Sequence, residues 1–295
     1  MLLRAALATA VLGVGTLAYA GLIERRWYRL RRVTVPGVLA PGTPTLRLLH
    51  VSDVHLVPGQ DHRVRFLASL AGLDHDLVIA TGDLLGAEDA EDATVRALAP
   101  LTTGDRPGVV VLGSNDYFGP VPKSPTAYFT HPERRVHGAV LDTRRLVHGL
   151  AGVGYRTLLA GSTVLSTSAG PVAVGGMDDP HLDLDAIPPA ETLRAAGDGF
   201  VARIGLVHAP YVAALDRLVE AGYDLLLSGH THGGQVRLPG VGALVGNCDL
   251  PLGQVRGLSR YRDGWLHVSP GLGHSRYAPI RFACRPEATL LELTP

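Results

Sequence analysis

Polar residues that can bind metal ions follow five apolar stretches of the chain. They are Asp, Asn or His, and each group stands where a run of aliphatic residues ends. Together they offer carboxylate and amide oxygens and imidazole nitrogens, the donors that divalent cations need. The five groups are Asp53-Val54-His55, Gly82-Asp83, Gly113-Ser114-Asn115-Asp116, Val207-His208-Ala209 and Gly229-His230-Thr231-His232. The predicted metal ligands are Asp53, His55, Asp83, Asn115, His208, His230 and His232.

The spacing within two of these groups predicts convergence. Asp53 and His55, like His230 and His232, are separated by one residue. Side chains alternate along an extended backbone, so we expect both members of a pair to point to the same side. Any single group is better explained as a turn or as a core histidine. The prediction of a metal centre therefore rests on the combination.

The elements that must position these residues follow a regular rhythm. The apolar runs LRLLHVSD, DLVIATGD and GVVVLGSND alternate with helix-like stretches near 62–73 and 88–101. A later set of short runs forms a second group of strands, with PYVAALDRLVEAG as an intervening helix. This pattern predicts an α/β domain of two sheets flanked by helices, with its working groups in loops at the carboxyl ends of strands.

The N-terminal segment predicts a membrane anchor. The stretch from Ala5 to Ile23 contains no charged residue. As a helix it is long enough to cross most of a hydrocarbon core about 30 Å thick. A cleaved signal peptide is the alternative, because Ala18-Tyr19-Ala20 fits a cleavage site. The arginine-rich flank that follows, with Trp27 and Tyr28, favours a retained anchor.

Three regions follow from this interpretation. We expect a transmembrane anchor or signal peptide at 1–24, a basic flank and Pro/Gly tether at 25–45, and the catalytic domain at 46–295. The arginines favour the cytoplasmic face of the membrane under the positive-inside rule, although the side stays open.

Charge and cysteine content exclude several classes. The 27 basic and 27 acidic residues give a net charge of zero, so nucleic acid is not expected as the main partner. Cys248 and Cys284 are widely separated and form no zinc-knuckle spacing, which predicts two packed thiols. No protein partner is predicted.

The five groups, in this order, resemble the signature of the calcineurin-like metallophosphoesterase superfamily, and the resemblance runs from Leu46 onward. GHTHGGQ, GGMDDP and the C-terminal GLGHSRYAPIRFACRPEATLLELTP are similar to a membrane-associated branch of bacterial phosphodiesterases. The resemblance implies a four-layer α-β-β-α sandwich of two mixed sheets. It also implies two metal sites bridged by Asp83, one with Asp53, His55 and His232 and the other with Asn115, His208 and His230.

One group departs from the superfamily pattern. Where the family reads Gly-Asn-His-Asp, this chain reads Gly113-Ser114-Asn115-Asp116. An ungapped alignment makes Ser114 the ligand, whereas a shift by one residue keeps Asn115, whose amide oxygen is the better ligand. Neither alignment supplies the histidine that donates a proton to the leaving group. That role is left to Asp116, His131, His274 or solvent.

The resemblance implies phosphoester hydrolysis by a hydroxide held between two cations about 3.5 to 4 Å apart. Mixed nitrogen and oxygen ligands favour Mn²⁺, Fe²⁺ or Zn²⁺. The expected substrate is a phosphodiester or pyrophosphate of lipid-linked or nucleotide type, with a good leaving group because the general acid is weak. The residues expected to take part in catalysis are Asp83, Asn115, Asp116 and His208.

Two alternatives remain open at this point. A scaffold protein that kept the fold and lost the chemistry would explain the altered GSND group. A metal-dependent nuclease would share the same centre, although the neutral charge disfavours it. Arg256, Arg260, Arg276 and Arg281 are candidate phosphate contacts, although most arginines simply face water.

Overall fold

The computed structural model describes residues 11, 13–103, 106–122, 138–183 and 186–295. Its strands are β1 Arg29–Val35, β2 Leu46–Val51, β3 Leu77–Thr81, β4 Gly108–Val111, β5 Tyr155–Thr157, β6 Ala160–Thr167, β7 Gly170–Met177, β8 Ala202–Leu206, β9 Leu225–Ser228, β10 Arg237–Leu238, β11 Gly242–Ala243, β12 Gly257–Tyr261, β13 Gly264–Val268 and β14 Glu287–Leu293. Its α-helices are α1 Asp61–Leu70, α2 Glu91–Leu98, α3 Thr143–Gly152, α4 Ala190–Leu193 and α5 Val212–Glu220.

Two six-stranded sheets form the body of the protein. The first has the order β1-β14-β2-β3-β4-β5 and the second β12-β13-β9-β8-β7-β6, with β10 and β11 as a separate hairpin. Each sheet contains both parallel and antiparallel strand pairs. In the first sheet β2 pairs in parallel with β3 and antiparallel with β14. In the second sheet β7 pairs in parallel with β8, whereas β6 and β12 pair antiparallel with β7 and β13. The prediction of two mixed sheets is therefore confirmed.

Apolar residues fill three layers. Between the sheets, Leu48 and Ile79 of the first sheet share one cluster with Val174 and Leu227 of the second. The outer face of the first sheet packs on α1, α2 and α3, and that of the second packs on α4 and α5. Strands β3 and β9 are buried along their whole length, which explains why they read as continuous apolar runs.

The domain begins earlier than Leu46. Strand β1 pairs in parallel with β14, so part of the expected tether at 25–45 belongs to the first sheet. Arg29 and Arg31 of this strand contact the buried carboxylate of Glu287, with Nε to Oε2 distances of 2.6 and 3.3 Å. The basic flank that suggested a membrane edge thus supplies partners for a buried acid.

The residues before β1 also pack on the domain. Glu24 is buried and accepts hydrogen bonds from the main-chain amides of Ala283 and Cys284. In the part of the chain that the structure describes, no helix is long and apolar enough to cross a membrane. Residues 1–10 and 12 of the predicted anchor lie outside the described residues.

Candidate metal centre

The predicted ligands meet where the carboxyl ends of strands from both sheets come together. Strands β2, β3 and β4 lead into Asp53, Asp83 and Asn115, and strands β8 and β9 of the second sheet lead into His208 and His230. Because the two sheets are packed face to face, groups more than a hundred residues apart in sequence reach one site.

Five of these residues have a left-handed backbone, which is unusual for residues other than glycine. The φ angles are 45° at Asp53, 41° at His55, 51° at Asp83, 67° at His230 and 50° at His232. Each such conformation costs on the order of 1–3 kcal/mol and clusters at functional sites. The expected alternation along an extended strand is therefore wrong in detail: tight turns, not strand geometry, bring each pair together.

The first cluster consists of Asp53, His55, Asp83 and His232, whose ligand atoms all lie within 4.8 Å of one another. The two Nε2 atoms of His55 and His232 are 3.1 Å apart. Asp83 Oδ2 lies 3.5 Å from His55 Nε2, and Asp53 Oδ1 lies 3.4 Å from His232 Nε2. Burial lowers the pKa of His55 to about 4 and holds the pKa of His232 well below its usual range, so both rings are neutral and able to bind a cation.

The second cluster consists of His208, His230 and Asp83. His208 Nε2 lies 3.5 Å from Asp83 Oδ2 and 3.3 Å from His230 Nδ1. The other ring nitrogens are occupied: His208 Nδ1 donates to Thr81 O at 2.6 Å, and His230 Nε2 lies 3.1 Å from Asn247 O. Hydrogen bonds of this kind orient histidines that ligate metals.

Asp83 lies between the two clusters. Its Oδ2 faces His55 and His208 at the same distance, 3.5 Å. Asn115 donates to it from both the main-chain amide, at 2.8 Å, and the side-chain amide, at 2.7 Å. Burial opposes its ionisation, but His208 and these hydrogen bonds hold the pKa of Asp83 well below its usual range. A permanently charged carboxylate at this place suits a ligand shared by two cations.

Asp116 is buried and held by main-chain amides beside the metal centre. It is fully buried, its Oδ1 accepts from the amides of Leu84 and Leu85, and its Oδ2 accepts from the amide of Gly113 at 2.9 Å. Burial, together with the charge of Asp83, raises the pKa of Asp116 to about 7. The three hydrogen bonds give Asp116 a structural role, and its catalytic role stays a prediction. Asp116 ties the GSND turn to the loop that carries Asp83.

The structure gives no support to His274 as the proton donor. Burial lowers the pKa of His274 to about 3, so this ring is a neutral imidazole and not an acidic imidazolium near neutral pH. His131 lies outside the described residues. Among the arginines considered as phosphate contacts, Arg281 is fully buried, and Arg256 contacts Glu287 at 3.3 Å.

Two residues beside the second cluster, Asp179 and His181, were not predicted from the sequence. Strand β7 runs parallel to β8 with Gly176 opposite Leu206, so the Asp178-Asp179 turn ends next to His208. The His181 ring packs on His230 with 4.5 Å between centroids, and its amide donates to Asp179 at 2.9 Å. The signal was present, because GGMDDP also places acidic residues directly after an apolar strand.

Two buried arginines donate hydrogen bonds to main-chain carbonyls in or beside the ligand loops. Arg63 of α1 donates to the carbonyl oxygens of Val54 and His55, each at 2.5 Å. Arg281 donates to the carbonyl oxygens of Pro270 and Gly273, in the segment that packs on Asp53. Both guanidinium groups satisfy carbonyls that the tight turns leave without partners.

Replacing Arg63 with methionine is expected to weaken metal binding about tenfold, because groups that orient ligands typically contribute this much. The substitution keeps a long apolar stem and removes the two donors to the Asp53-Val54-His55 turn. Arg65→Met is the matched control, because Arg65 lies on the same helix and is exposed. Chelator competition would measure both, and equal affinities would contradict the orienting role.

Metal uptake is expected to release protons. Burial raises the pKa of Asp53 to about 7, and Asp83 and Asp179 outweigh burial to raise the pKa of His208 well above its usual range. A raised pKa contributes stability that is present at low pH and is lost as pH rises through the folded-state value. The metal-free protein therefore carries unfavourable charge near neutral pH that a cation removes.

The stabilisation by metal is accordingly expected to grow with pH. Thermal unfolding with and without Mn²⁺ at about pH 5.5 and about pH 8 would measure it, with the larger rise in Tm expected at the higher pH. An equal or smaller rise at the higher pH would contradict the assignment of Asp53 and His208 to the site.

Comparisons with known proteins agree with this geometry. Residues 46–234 match the family model described as calcineurin-like phosphoesterase. The chain is 27% identical over 296 residues to the uncharacterised metallophosphoesterase YkuE of Bacillus subtilis (strain 168), covering 97% of this chain and 92% of that protein. It is 28% identical over 257 residues to the uncharacterised metallophosphoesterase YkoQ of the same organism, covering 86% and 85%.

A third relative is the phosphodiesterase YaeI of Escherichia coli (strain K12). It is 33% identical over 147 residues, which covers 49% of each chain. The family match spans five strand ends that carry the metal-binding residues, and the first cluster brings four of those residues together. The chain therefore belongs to the calcineurin-like phosphoesterase family and is a metal-dependent hydrolase of phosphoesters.

Proposed function

We propose that this protein hydrolyses a phosphodiester or pyrophosphate bond at a centre that binds two divalent cations. The observation that carries the proposal is the position of Asp83, whose Oδ2 faces one histidine of each cluster at 3.5 Å. A shared carboxylate reduces the repulsion between two dications. The proposed ligands are Asp53, His55 and His232 for one cation, Asn115, His208 and His230 for the other, and Asp83 for both.

The donor set fits such a pair. Burial raises the pKa of Asp53 to about 7 and that of Asp179 to about 6, and it keeps the His55 ring neutral, so cations can take the place of protons in this site. When bound, Mn²⁺, Fe²⁺ or Zn²⁺ would lower the pKa of water and stabilise charge on the phosphoryl group. The protein's own residues orient this site through Thr81, Asn247 and Arg63.

The leaving group receives little help from the protein. The GSND turn supplies no imidazole, Asp116 is bound to three main-chain amides, and burial keeps His274 from forming an imidazolium near neutral pH. Weak general-acid catalysis favours esters whose leaving group needs no proton.

An aryl phosphodiester is therefore expected to be hydrolysed at least about 100-fold faster than an alkyl diester, the usual contribution of a positioned acid. The measurement is kcat/KM for bis(p-nitrophenyl) phosphate and for a dialkyl phosphate under the same Mn²⁺ concentration. Equal rates would show that an efficient proton donor is present.

A lipid-linked substrate is the proposed class. The loop with His232 continues into the β10–β11 hairpin, where Leu238 and Val241 are 44% and 74% exposed. The main-chain amide of Arg237, at the start of this hairpin, donates to Phe282 O. The Phe282 ring contacts the ring of Tyr19 in the N-terminal segment. Leu22 and Ile23 nearby are exposed as well. Exposed apolar residues on the hairpin that follows a ligand loop suit a substrate held in a lipid interface.

Attachment to a membrane through the N-terminal segment is part of the same proposal. Its support is the uncharged stretch from Ala5 to Ile23 and the arginines after it, which favour the cytoplasmic face. Val241→Asp is expected to slow hydrolysis of a phospholipid diester in vesicles but not of a soluble diester. Val164→Asp on the distant edge strand β6 is the control, and loss of both activities in Val241→Asp would oppose the proposal.

A scaffold protein that kept the fold without the chemistry is the alternative that the unusual GSND turn suggested, and membership of the phosphoesterase family disfavours it. Activity on bis(p-nitrophenyl) phosphate with added Mn²⁺ separates the two. An enzyme shows metal-dependent turnover that disappears in Asp83→Ala. A scaffold protein binds the metal and shows no turnover above background.

A further inference from the structure

A layer of buried polar side chains lies between the two sheets, directly beneath the metal centre. Along the inner faces of β2 and β3, the apolar residues Leu48 and Ile79 give way to His50 and Thr81 toward the metal end. His267 faces them from β13 of the second sheet, and all three polar side chains are fully buried. None of these side chains belongs to the ligand set.

These side chains form an unbroken chain of hydrogen bonds that ends at a metal ligand. His267 Nδ1 lies 2.9 Å from His50 Nδ1, and His50 Nε2 lies 2.9 Å from Thr81 Oγ1. The Thr81 hydroxyl donates to Ser52 Oγ at 2.7 Å, and the Ser52 hydroxyl donates to Asp53 Oδ2 at 2.7 Å. We call this chain the relay.

The relay has a single direction. An ionised Asp53 only accepts, and its Oδ2 lies 2.7 Å from Ser52 Oγ, closer than Thr81 O at 3.2 Å. The Ser52 hydrogen therefore points to Asp53, and the Thr81 hydrogen points to Ser52. His50 must then donate from Nε2 to Thr81, which leaves a lone pair on its Nδ1 for the Nδ1–H of His267. His267 Nε2 is then an acceptor without a hydrogen, and it has no partner among the described residues. Burial lowers the pKa of both rings, in keeping with these neutral forms.

The relay ends on one oxygen of Asp53 and leaves the other facing the cluster. Ser52 binds Oδ2, whereas Oδ1 lies 3.4 Å from His232 Nε2. The main-chain amide of His230 contacts both oxygens, at 3.0 and 3.1 Å, so Ser52 is the group that distinguishes them. The backbone of Asp53 is left-handed, with φ at 45°, and such a conformation persists only where the surroundings hold it. Hydrogen bonds that fix a ligating carboxylate are a known determinant of metal affinity.

We propose that the relay presents Asp53 Oδ1 to the cation bound by His55 and His232 and thereby sets the affinity of that one site. The inference rests on the proposed metal centre. Four side chains of the relay are then positioning residues, because they act on the cation only through Asp53. They are Ser52, Thr81, His50 and His267.

Thr81→Val tests the relay, because it replaces the central hydroxyl by a methyl group of the same size. Thr289→Val is the matched control: Thr289 is also fully buried, lies opposite His50 on β14, and its hydroxyl has no partner among the described residues. Thr81→Ser restores the hydroxyl. Stepwise binding of Mn²⁺ or Co²⁺ to each full-length protein, measured by chelator competition, gives the affinity of each metal site.

The expected result is that Thr81→Val weakens one of the two binding steps about tenfold or more, as loss of an orienting group typically does. Thr289→Val and Thr81→Ser should bind both cations like the parent. Ser52→Ala removes the hydroxyl that contacts Asp53 and should weaken the same binding step. Because this substitution changes packing less, it tests the relay even if Thr81→Val does not fold.

Two other results would each overturn the relay. If Ser52→Ala or a folded Thr81→Val binds both cations like Thr289→Val, the relay does not position Asp53, although the metal centre stands. If the parent itself binds no cation, the metal centre fails and the relay fails with it. Equal losses of Tm in Thr81→Val and Thr289→Val with unchanged affinities would mark a packing effect alone.

Discussion

Asp83→Ala is expected to lower kcat/KM for a phosphodiester by about a thousandfold or more. Stabilisation of charge by metal ions is worth several kcal/mol, and each 1.36 kcal/mol is about a factor of ten in rate. Asp83 Oδ2 lies 3.5 Å from a histidine of each cluster, so its removal is expected to disturb both metal sites. The measurement is steady-state kinetics at saturating Mn²⁺ together with metal content.

Asp83→Asn separates charge from shape. The amide keeps the size of the side chain and can accept one of the two hydrogen bonds from Asn115, but it carries no charge to neutralise cations. We expect nearly the same loss of activity in a protein that folds normally. Asp74→Ala is the control, because this carboxylate is exposed and pairs only with Arg47 at the surface. An Asp83→Asn protein with parental activity would remove Asp83 from its bridging role.

Asp116→Ala is expected to destabilise the domain by at least about 3 kcal/mol. The substitution leaves the amides of Gly113, Leu84 and Leu85 buried without acceptors, and each unsatisfied donor costs about 1–3 kcal/mol. Losses of this size are a large part of the stability of an ordinary domain. Urea unfolding would measure the change.

The same residue allows a structural role to be told from a chemical one. If Asp116 acts only by accepting these hydrogen bonds, the molecules of Asp116→Asn that remain folded should hydrolyse an aryl diester nearly as fast as the parent. If Asp116 delivers a proton, Asp116→Asn should be stable and slow toward alkyl diesters. A stable, slow variant would support the proton-donor role.

The metal centre was predictable because its signals are local. Each group of ligands follows an apolar strand, and parallel strands of one sheet deliver their carboxyl ends to one edge. Asp53, His55, Asp83 and His232 converge as expected. What spacing could not predict is the left-handed backbone at these positions, because turns, rather than the alternation of a strand, orient the side chains.

The features that were missed depend on partners far away in sequence. Strand β1 reads as a basic flank because its arginines are paired with Glu287, which is 258 residues from Arg29. Arg63 looks like a surface residue of an amphipathic helix, yet it is buried under the Asp53 turn. His50 and His267 come from different sheets, so neither sequence neighbourhood reveals their contact.

Metal analysis of the purified protein tests the central claim most directly. The chain purified with Mn²⁺ is expected to retain about two divalent cations per molecule after desalting, to lose them together with diesterase activity on chelation, and to recover both when Mn²⁺ returns. A protein that carries no more metal than Asp83→Ala, or whose activity survives complete removal of metal, would contradict a catalytic centre built on these seven side chains.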